Sequence, residues 1–309
     1  MRARFGPSAQ GAVILALLLA AFAAGASLAG DSVSARDITV AAGEVVRVTS
    51  TGTGTPVVLV PGLFGSAFGY RKLVGPLQER GYRVIIVEPL GTGTSAYPKG
   101  ANYSLTAQAD RIASVLDTLG VTHALVVAHS VGVSMALRLS YRRPELVRGV
   151  LAIDGGPVEA AATPTLQHAM KFAVFLKLFM GHGTLRRKVR HTMVENSGDT
   201  TWISDSVVQG YTAGPGRDLH RTIDALHAMA RSHEPALLSA HLAQIRVPVR
   251  LLVGTAPHGT AITPDEVSEL KRAIPDFGVD SIPGSGQFIH EEQPAVVLAA
   301  VARLDGESR

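Results

Sequence analysis

Hydrophobic and polar residues alternate along Glu44–Thr51 (EVVRVTST), the period-two pattern of a strand with one face in water. Two runs that follow, Pro56–Val60 (PVVLV) and Tyr82–Val87 (YRVIIV), are apolar throughout, which suits strands covered on both faces. Residues 66–80 between them read as a helix stopped by Gly81. Ser104–Leu119 places Leu105, Ile112, Leu116 and Leu119 at helical spacing, and Gly120 ends it. Ala124–Ala128 then reads as a strand, Val131–Arg142 as a helix and Val147–Ile153 as a strand. The same rhythm returns with a strand over Val247–Val253, a helix over Pro264–Ala273, a strand over Val279–Ile282 and a helix over Pro294–Leu304. Such alternation predicts an α/β fold, a mostly parallel central β-sheet with helices on both faces. Residues 157–240 carry helical patterns without strands and read as an inserted helical cap. The core is then formed by residues 30–156 and 241–309.

The first residues follow a different grammar. Arg2 and Arg4 precede an apolar run, Gly11–Ala24, and then the small residues AGASLAG. That is the pattern of a secretory signal over residues 1–29, with cuts expected after Ala26 or Ala29. The apolar stretch Ala12–Ala29 is also about long enough for an uncleaved membrane anchor. The expectation is an exported protein, periplasmic or secreted, with membrane contact only through that segment.

Composition narrows the chemistry. Hydrophobic residues make up 46% and charged residues 17%, so a sizeable core can form. The net charge of +4 is spread out, and the one dense basic run, Leu185–His191 (LRRKVRH), reads as a solvated helix face. No nucleic-acid partner is expected. The chain has no cysteine, which excludes disulfides, thiolate nucleophiles and cysteine-bound metals. His220 and His227 show no metal-ligand spacing, and no metal or cofactor is expected.

The strand ALVVA runs into His129-Ser130-Val131-Gly132 and then a helix. A serine at the apex of a strand–turn–helix, with small neighbours, is the G-x-S-x-G nucleophile elbow, here Ala128 to Gly132. The ordinary alternative is a serine N-cap. His129 is expected to line or pack the pocket, as is Phe64. After PVVLV comes Pro61-Gly-Leu-Phe-Gly-Ser66, where the Leu63 amide can join that of Val131 in an oxyanion hole. Glu88–Ser95 (EPLGTGTS) is glycine-rich but lacks the lysine of a phosphate loop, and reads as structural. Phe172–Met180 (FAVFLKLFM) is apolar nearly all round, so part of it can roof the pocket. Trp202 and Tyr211 can line the same space, though packing is their ordinary role.

VPGLFGS, EPLGTGTS, AHSVG, VRGVLAIDGGP and PGSGQFIHEEQP together resemble the α/β-hydrolase superfamily of esterases, lipases and dehalogenases with a helical cap. The resemblance covers about residues 40–156 and 241–305. It implies a Ser–acid–His triad in that chain order and no metal, and the apolar cap segment Phe172–Met180 adds the expectation of a small apolar ester-like substrate. Ser130 matches the nucleophile. A dehalogenase is disfavoured, since its nucleophile is an aspartate; a carbon–carbon bond hydrolase uses the same serine constellation. The usual acid position lies in GTAPHGTAIT, which carries no carboxylate, so the superfamily's second acid site points to Asp154. The usual histidine position holds Gln287. His290 is the nearest histidine, yet it stands three residues on, about 4.5 Å along a helix, and a base must come within about 3 Å of the hydroxyl. The base is then His290, His258 on the loop of the usual acid, or absent. In the last case the protein is a hydrolase scaffold that binds an apolar ligand and turns it over slowly or never.

Overall fold

The apolar runs form the middle of one eight-stranded sheet. In the computed structural model, which describes residues 33–162, 167, 168, 170–173 and 181–308, the strands are β1 (Ser34–Ala41), β2 (Glu44–Thr51), β3 (Thr55–Val60), β4 (Tyr82–Glu88), β5 (Ala124–His129), β6 (Val147–Ile153), β7 (Val249–Gly254) and β8 (Phe277–Ile282). Their order across the sheet is β1-β2-β4-β3-β5-β6-β7-β8. From β4 to β8 all neighbours pair in parallel, while β2 is antiparallel to both β1 and β4. The mostly parallel sheet matches the sequence reading, and β3 and β5 are buried along nearly their whole length.

Two strands differ from that reading. β1 is unmarked in the hydrophobic pattern because it is an edge strand, with Ile38 its one buried side chain. β8 starts at Phe277, two residues before the apolar run, because Phe277 and Gly278 pair with Val249 and Arg250 at the opposite edge. The helix read over residues 66–80 is a 3₁₀ turn, Ala67–Tyr70, continued by α1 (Arg71–Glu79), and the Ser66 hydroxyl accepts from the Phe68 amide to start the turn.

Helices cover both faces, so two apolar layers form. On one side α2 (Leu105–Thr118), α3 (Val131–Arg142) and residues of the later helices pack on Val58, Val126 and Val150. On the other, Leu73 and Leu77 of α1 and Val297, Val301 and Leu304 of the final helix pack on Leu59, Val127 and Leu151. Between β6 and β7 come α4 (His182–Glu195), α5 (Asp205–Gly216) and α6 (Leu219–Ala230), helices without a described strand. Both ends of this insertion bond to one buried cation. Arg138 on α3, with its side chain wholly buried, lies 2.7 Å from Glu159 and 3.3 Å from Glu234. Glu234 also accepts from the Thr106 amide at the start of α2. A guanidinium so enclosed is tolerable only with its carboxylates in place.

After β7 come α7 (Pro264–Ala273), β8, a single turn α8 (Ile289–Glu292) and α9 (Pro294–Glu307). The signal-or-anchor reading of residues 1–29 lies outside the described residues, as does most of the apolar cap segment, residues 174–180. Among the described residues no helix is long and apolar enough to cross a membrane.

Candidate active site

β5 ends at His129 and α3 begins at Val131, which leaves Ser130 alone in the turn. Its φ of 53° and ψ of −127° are a conformation that a residue with a side chain rarely adopts. The surrounding structure holds it there. The Ser130 amide donates to the Ile153 carbonyl at the end of β6, 3.0 Å away, and the Val133 amide donates to the Ser130 carbonyl. Gly132 is obligatory at the next turn position but one, since a Cβ there would stand 2.8 Å from the Val60 carbonyl oxygen. No side chain caps this helix from Ser130, which counts against the N-cap alternative.

The Pro61–Ser66 loop lies directly beside the serine. Gly62 approaches so closely that a Cβ on it would be 3.1 Å from the Ser130 Cβ. Leu63 is the next residue, and Val131 is the first of α3, so both amides belong to the segments that flank the hydroxyl. Phe64 is partly exposed at the same loop. Glu88 fixes this loop to its neighbour by accepting from the Ala67 amide at 2.8 Å and the Thr94 hydroxyl at 2.9 Å, so Glu88–Ser95 is structural as read.

The group that meets the serine is Gln287. Its Nε2 donates to Ser130 Oγ over 3.2 Å. Gln287 is almost fully buried, and its own amide donates to the Asn196 carbonyl at 2.8 Å. A carboxamide offers N–H donors and a carbonyl oxygen, and neither serves as a general base near neutral pH.

His290 does not take that place. Its ring is 3% exposed and lies in the core, 5.4 Å from the Tyr70 ring and 4.6 Å from that of His129. Its Nδ1 has no hydrogen-bond partner. Burial drives its pKa well below the ordinary histidine value, with the charges of His129, Arg71 and Lys72 adding to the effect. His290 lies in the turn α8, which starts at Ile289, and the rings around it are those of Tyr70, His129 and Phe288, while the Ser130 hydroxyl is met by Gln287. The expectation of His290 as base is corrected on this geometry.

Of the two roles expected for His129, lining or packing, it has the packing one. It is buried, its Nε2 stands 3.1 Å from the Gln287 carbonyl, and its ring packs on Phe288. Burial pushes its pKa down to about 4, against a smaller upward pull from that carbonyl. A neutral ring donating from Nε2 supports the Gln287 backbone from below.

Asp154 pairs with a histidine, but with His258. His258 Nε2 is 2.7 Å from Asp154 Oδ2, and neither side chain is exposed. The other ring nitrogen, Nδ1, is 2.7 Å from the Ala256 carbonyl, which can only accept. Both ring nitrogens of His258 are thus occupied, and neither is open to the serine proton. Chain order is still Ser130, Asp154, His258. Desolvation raises the Asp154 pKa, and the charge and hydrogen bond of His258 partly oppose this.

Trp202 and Tyr211 have the packing role. They join Met193, Val207, Val208 and Phe288 in a small apolar cluster, and the Tyr211 hydroxyl donates to Glu291 at 2.9 Å. Among the described residues no group of three or more His, Asp or Glu side chains forms a metal site. Sequence reasoning missed Asn196, which touches both the Gln287 and the His258 loops. Its only signal is an asparagine before Ser-Gly-Asp at a helix end, which reads as an ordinary stop.

A parallel sheet with a strained serine at the end of its central strand defines a hydrolase-fold protein. Comparison makes the assignment definite: the chain belongs to the alpha/beta hydrolase family, whose family model matches residues 57–301. It is similar to the sn-1-specific diacylglycerol lipase ABHD11 of Mus musculus, 24% identical over 258 residues that cover 79% of each chain. It is also 24% identical over 281 residues to the 2-(acetamidomethylene)succinate hydrolase of Mesorhizobium japonicum, covering 84% of this chain and 91% of that one. The solved structure of the epoxide hydrolase CorEH superposes with a TM-score of 0.73 at 18% identity over 90% of this chain and all of the other, a likeness of fold. Hydrolysis is the activity class to which the family assigns the chain.

Proposed function

We propose that the protein is a serine hydrolase of activated carboxylic esters with small apolar portions, working from Ser130 without a histidine at the serine. The hydrogen bond from Gln287 Nε2 to Ser130 Oγ carries this reading. It fixes the hydroxyl oxygen while offering no site for its proton. Ser130 Oγ attacks the ester carbonyl carbon, its proton passes to solvent, and the carbonyl oxygen is held by the Leu63 and Val131 amides. The leaving alkoxide departs with the former ester oxygen. Water then attacks the acyl-serine and returns the free hydroxyl and a carboxylic acid. An oxyanion hole and binding alone leave about 10³–10⁴-fold over water when a triad fails. That is enough for esters with good leaving groups and slow for ordinary ones. The partly exposed Phe64, on the loop beside Ser130, favours apolar substrates, and the mouse relative's name, a diacylglycerol lipase, favours ester over other bonds.

The same hydrogen bond favours a second reading, a carbonyl-binding scaffold with no turnover. A fluorophosphonate probe separates them by intact mass. Attack by Ser130 Oγ on phosphorus expels fluoride and adds one phosphonyl group. Stoichiometric labelling of the wild type and none of Ser130→Ala is expected. An unlabelled wild type overturns the covalent mechanism in favour of the scaffold.

A further inference from the structure

Asn196 closes α4, on the cap, and is 6% exposed. Its hydrogen-bonding groups face three segments. The side-chain Nδ2 donates to the Thr192 carbonyl at 2.7 Å, which also accepts from the Asn196 amide at 3.1 Å. The side-chain Oδ1 accepts from the Gly259 amide at 3.1 Å and from the Thr260 hydroxyl at 3.2 Å, which uses both of its lone pairs. The backbone carbonyl accepts from the Gln287 amide at 2.8 Å. The fit on that side is tight, since a Cβ added to Gly286 would collide with the Asn196 carbonyl oxygen. Glu292 reinforces the join by accepting from the Gly198 amide at 2.9 Å and the Asp199 amide at 2.8 Å, while the Gly286 amide donates to its other oxygen at 3.1 Å.

We propose that Asn196 is the positioning residue of this site: it sets Gln287 on Ser130 through its carbonyl and holds the His258 loop through Oδ1. The role in catalysis rests on the serine mechanism above; the role in holding the two loops does not. Asparagine is the side chain that suits all three demands. Aspartate keeps both acceptor bonds but loses the donor to Thr192 and puts a negative charge at the negative end of the helix dipole. Alanine keeps none of the side-chain bonds. Without them residues 196–199 lose their anchor to the loop at Gly259, and the carbonyl that fixes Gln287 moves with them. A displacement of about 1 Å at a reacting group costs up to about 10²-fold in rate.

The test combines hydrogen–deuterium exchange with the rate of fluorophosphonate labelling of the full chain. Asn196→Ala is expected to raise exchange in both segments 256–262 and 284–290 and to slow labelling about tenfold. Asn196→Asp is expected to restore protection over 256–262. In a Gln287→Ala background, Asn196→Ala should change labelling less than twofold, because the residue through which it acts is gone. An equal loss of labelling in both backgrounds, or exchange confined to one segment, overturns the proposal. An exposed cap change, Val194→Ala, serves as the control that leaves both readouts unmoved. If the wild type does not label, the serine mechanism fails, and the exchange comparison alone decides whether Asn196 holds the loops.

Discussion

Asp154 Oδ2 and His258 Nε2 stand 2.7 Å apart with neither side chain exposed to solvent. Because Nδ1 must donate to the Ala256 carbonyl, a further proton has to lie between Nε2 and Oδ2. The pair therefore holds one shared proton and is neutral overall, whichever atom carries it. Asp154 here orients a histidine that has no free nitrogen for the serine. Asp154→Asn should then keep the fold, since an amide N–H can donate to Nε2 of a neutral ring, and should lower ester turnover less than tenfold. The same change in a working triad costs about 10⁴. A loss of that size in p-nitrophenyl acetate assays would show that His258 swings onto the serine during the reaction.

Ser130→Ala should abolish turnover of p-nitrophenyl acetate and lower the thermal midpoint by no more than about 4 °C. The strained φ of 53° belongs to the turn rather than to the hydroxyl, and losing one hydrogen bond to Gln287 costs about 1 kcal/mol at most. Residual turnover above a few per cent, in a sample free of other hydrolases, would count against Ser130 as nucleophile.

Gln287→His should raise kcat for the same ester by at least about 10²-fold. Its backbone is already fixed by the bond to Asn196, and its side chain already reaches Ser130 Oγ. A general base contributes typically about 10²–10⁴. The gain should appear only above the pH at which the new imidazole becomes neutral. A variant no faster than wild type would mean that the position cannot orient a ring.

His129 and His290 are both buried neutral rings, and folding stability should record this as pH falls. The folded pKa of His129 is about 4 against an ordinary 6.5, and that of His290 is lowered well below 6.5. Between those values the unfolded chain binds more protons than the folded one. Their contribution is full above pH 6.5 and is lost as pH falls toward 4, on the order of 3 kcal/mol for His129. Asp154 has the opposite sign: its raised pKa makes the folded state bind the extra proton, so its contribution is lost as pH rises through its folded value. With two histidines against one carboxyl, stability in urea should drop from pH 7 to pH 4.5.

His290→Phe should flatten that slope by up to one proton without slowing ester turnover. It should also stabilise the protein at pH 7 by about 1 kcal/mol, because His290 Nδ1 is buried with no partner and the new ring removes that cost. A variant as pH-sensitive as wild type would place the acid lability elsewhere, and a large loss of turnover would return His290 to the chemistry.

Fold was legible where burial was two-sided. The runs PVVLV, YRVIIV and ALVVA are apolar because helices cover both faces, and each lies within an observed strand. SARDITVA was silent because an edge strand with one buried residue needs no pattern. At the site, the elbow was legible because a strained turn demands Ser-x-Gly at fixed spacing. The His258 pairing was not, because Asp154 and His258 are 104 residues apart and meet only through the parallel pairing of β6 with β7. Gln287 was visible as a departure, yet its bond to Ser130 depends on a carbonyl of the cap, whose sequence there carries no motif.

Arg138 ties both ends of the insertion to the core, since Glu159 at its entry and Glu234 at its exit meet on one guanidinium. A segment whose two ends converge on the same core residue behaves as a cassette. Between the clamped ends the stretch that meets the site is constrained, where Asn196, Gly198 and Asp199 bond to Gln287, Gly259 and Glu292. An exchange of residues in the insertion that keeps Asn196, Tyr211 and both carboxylates should therefore change which molecules reach Ser130. The strands that hold the serine need not be rebuilt.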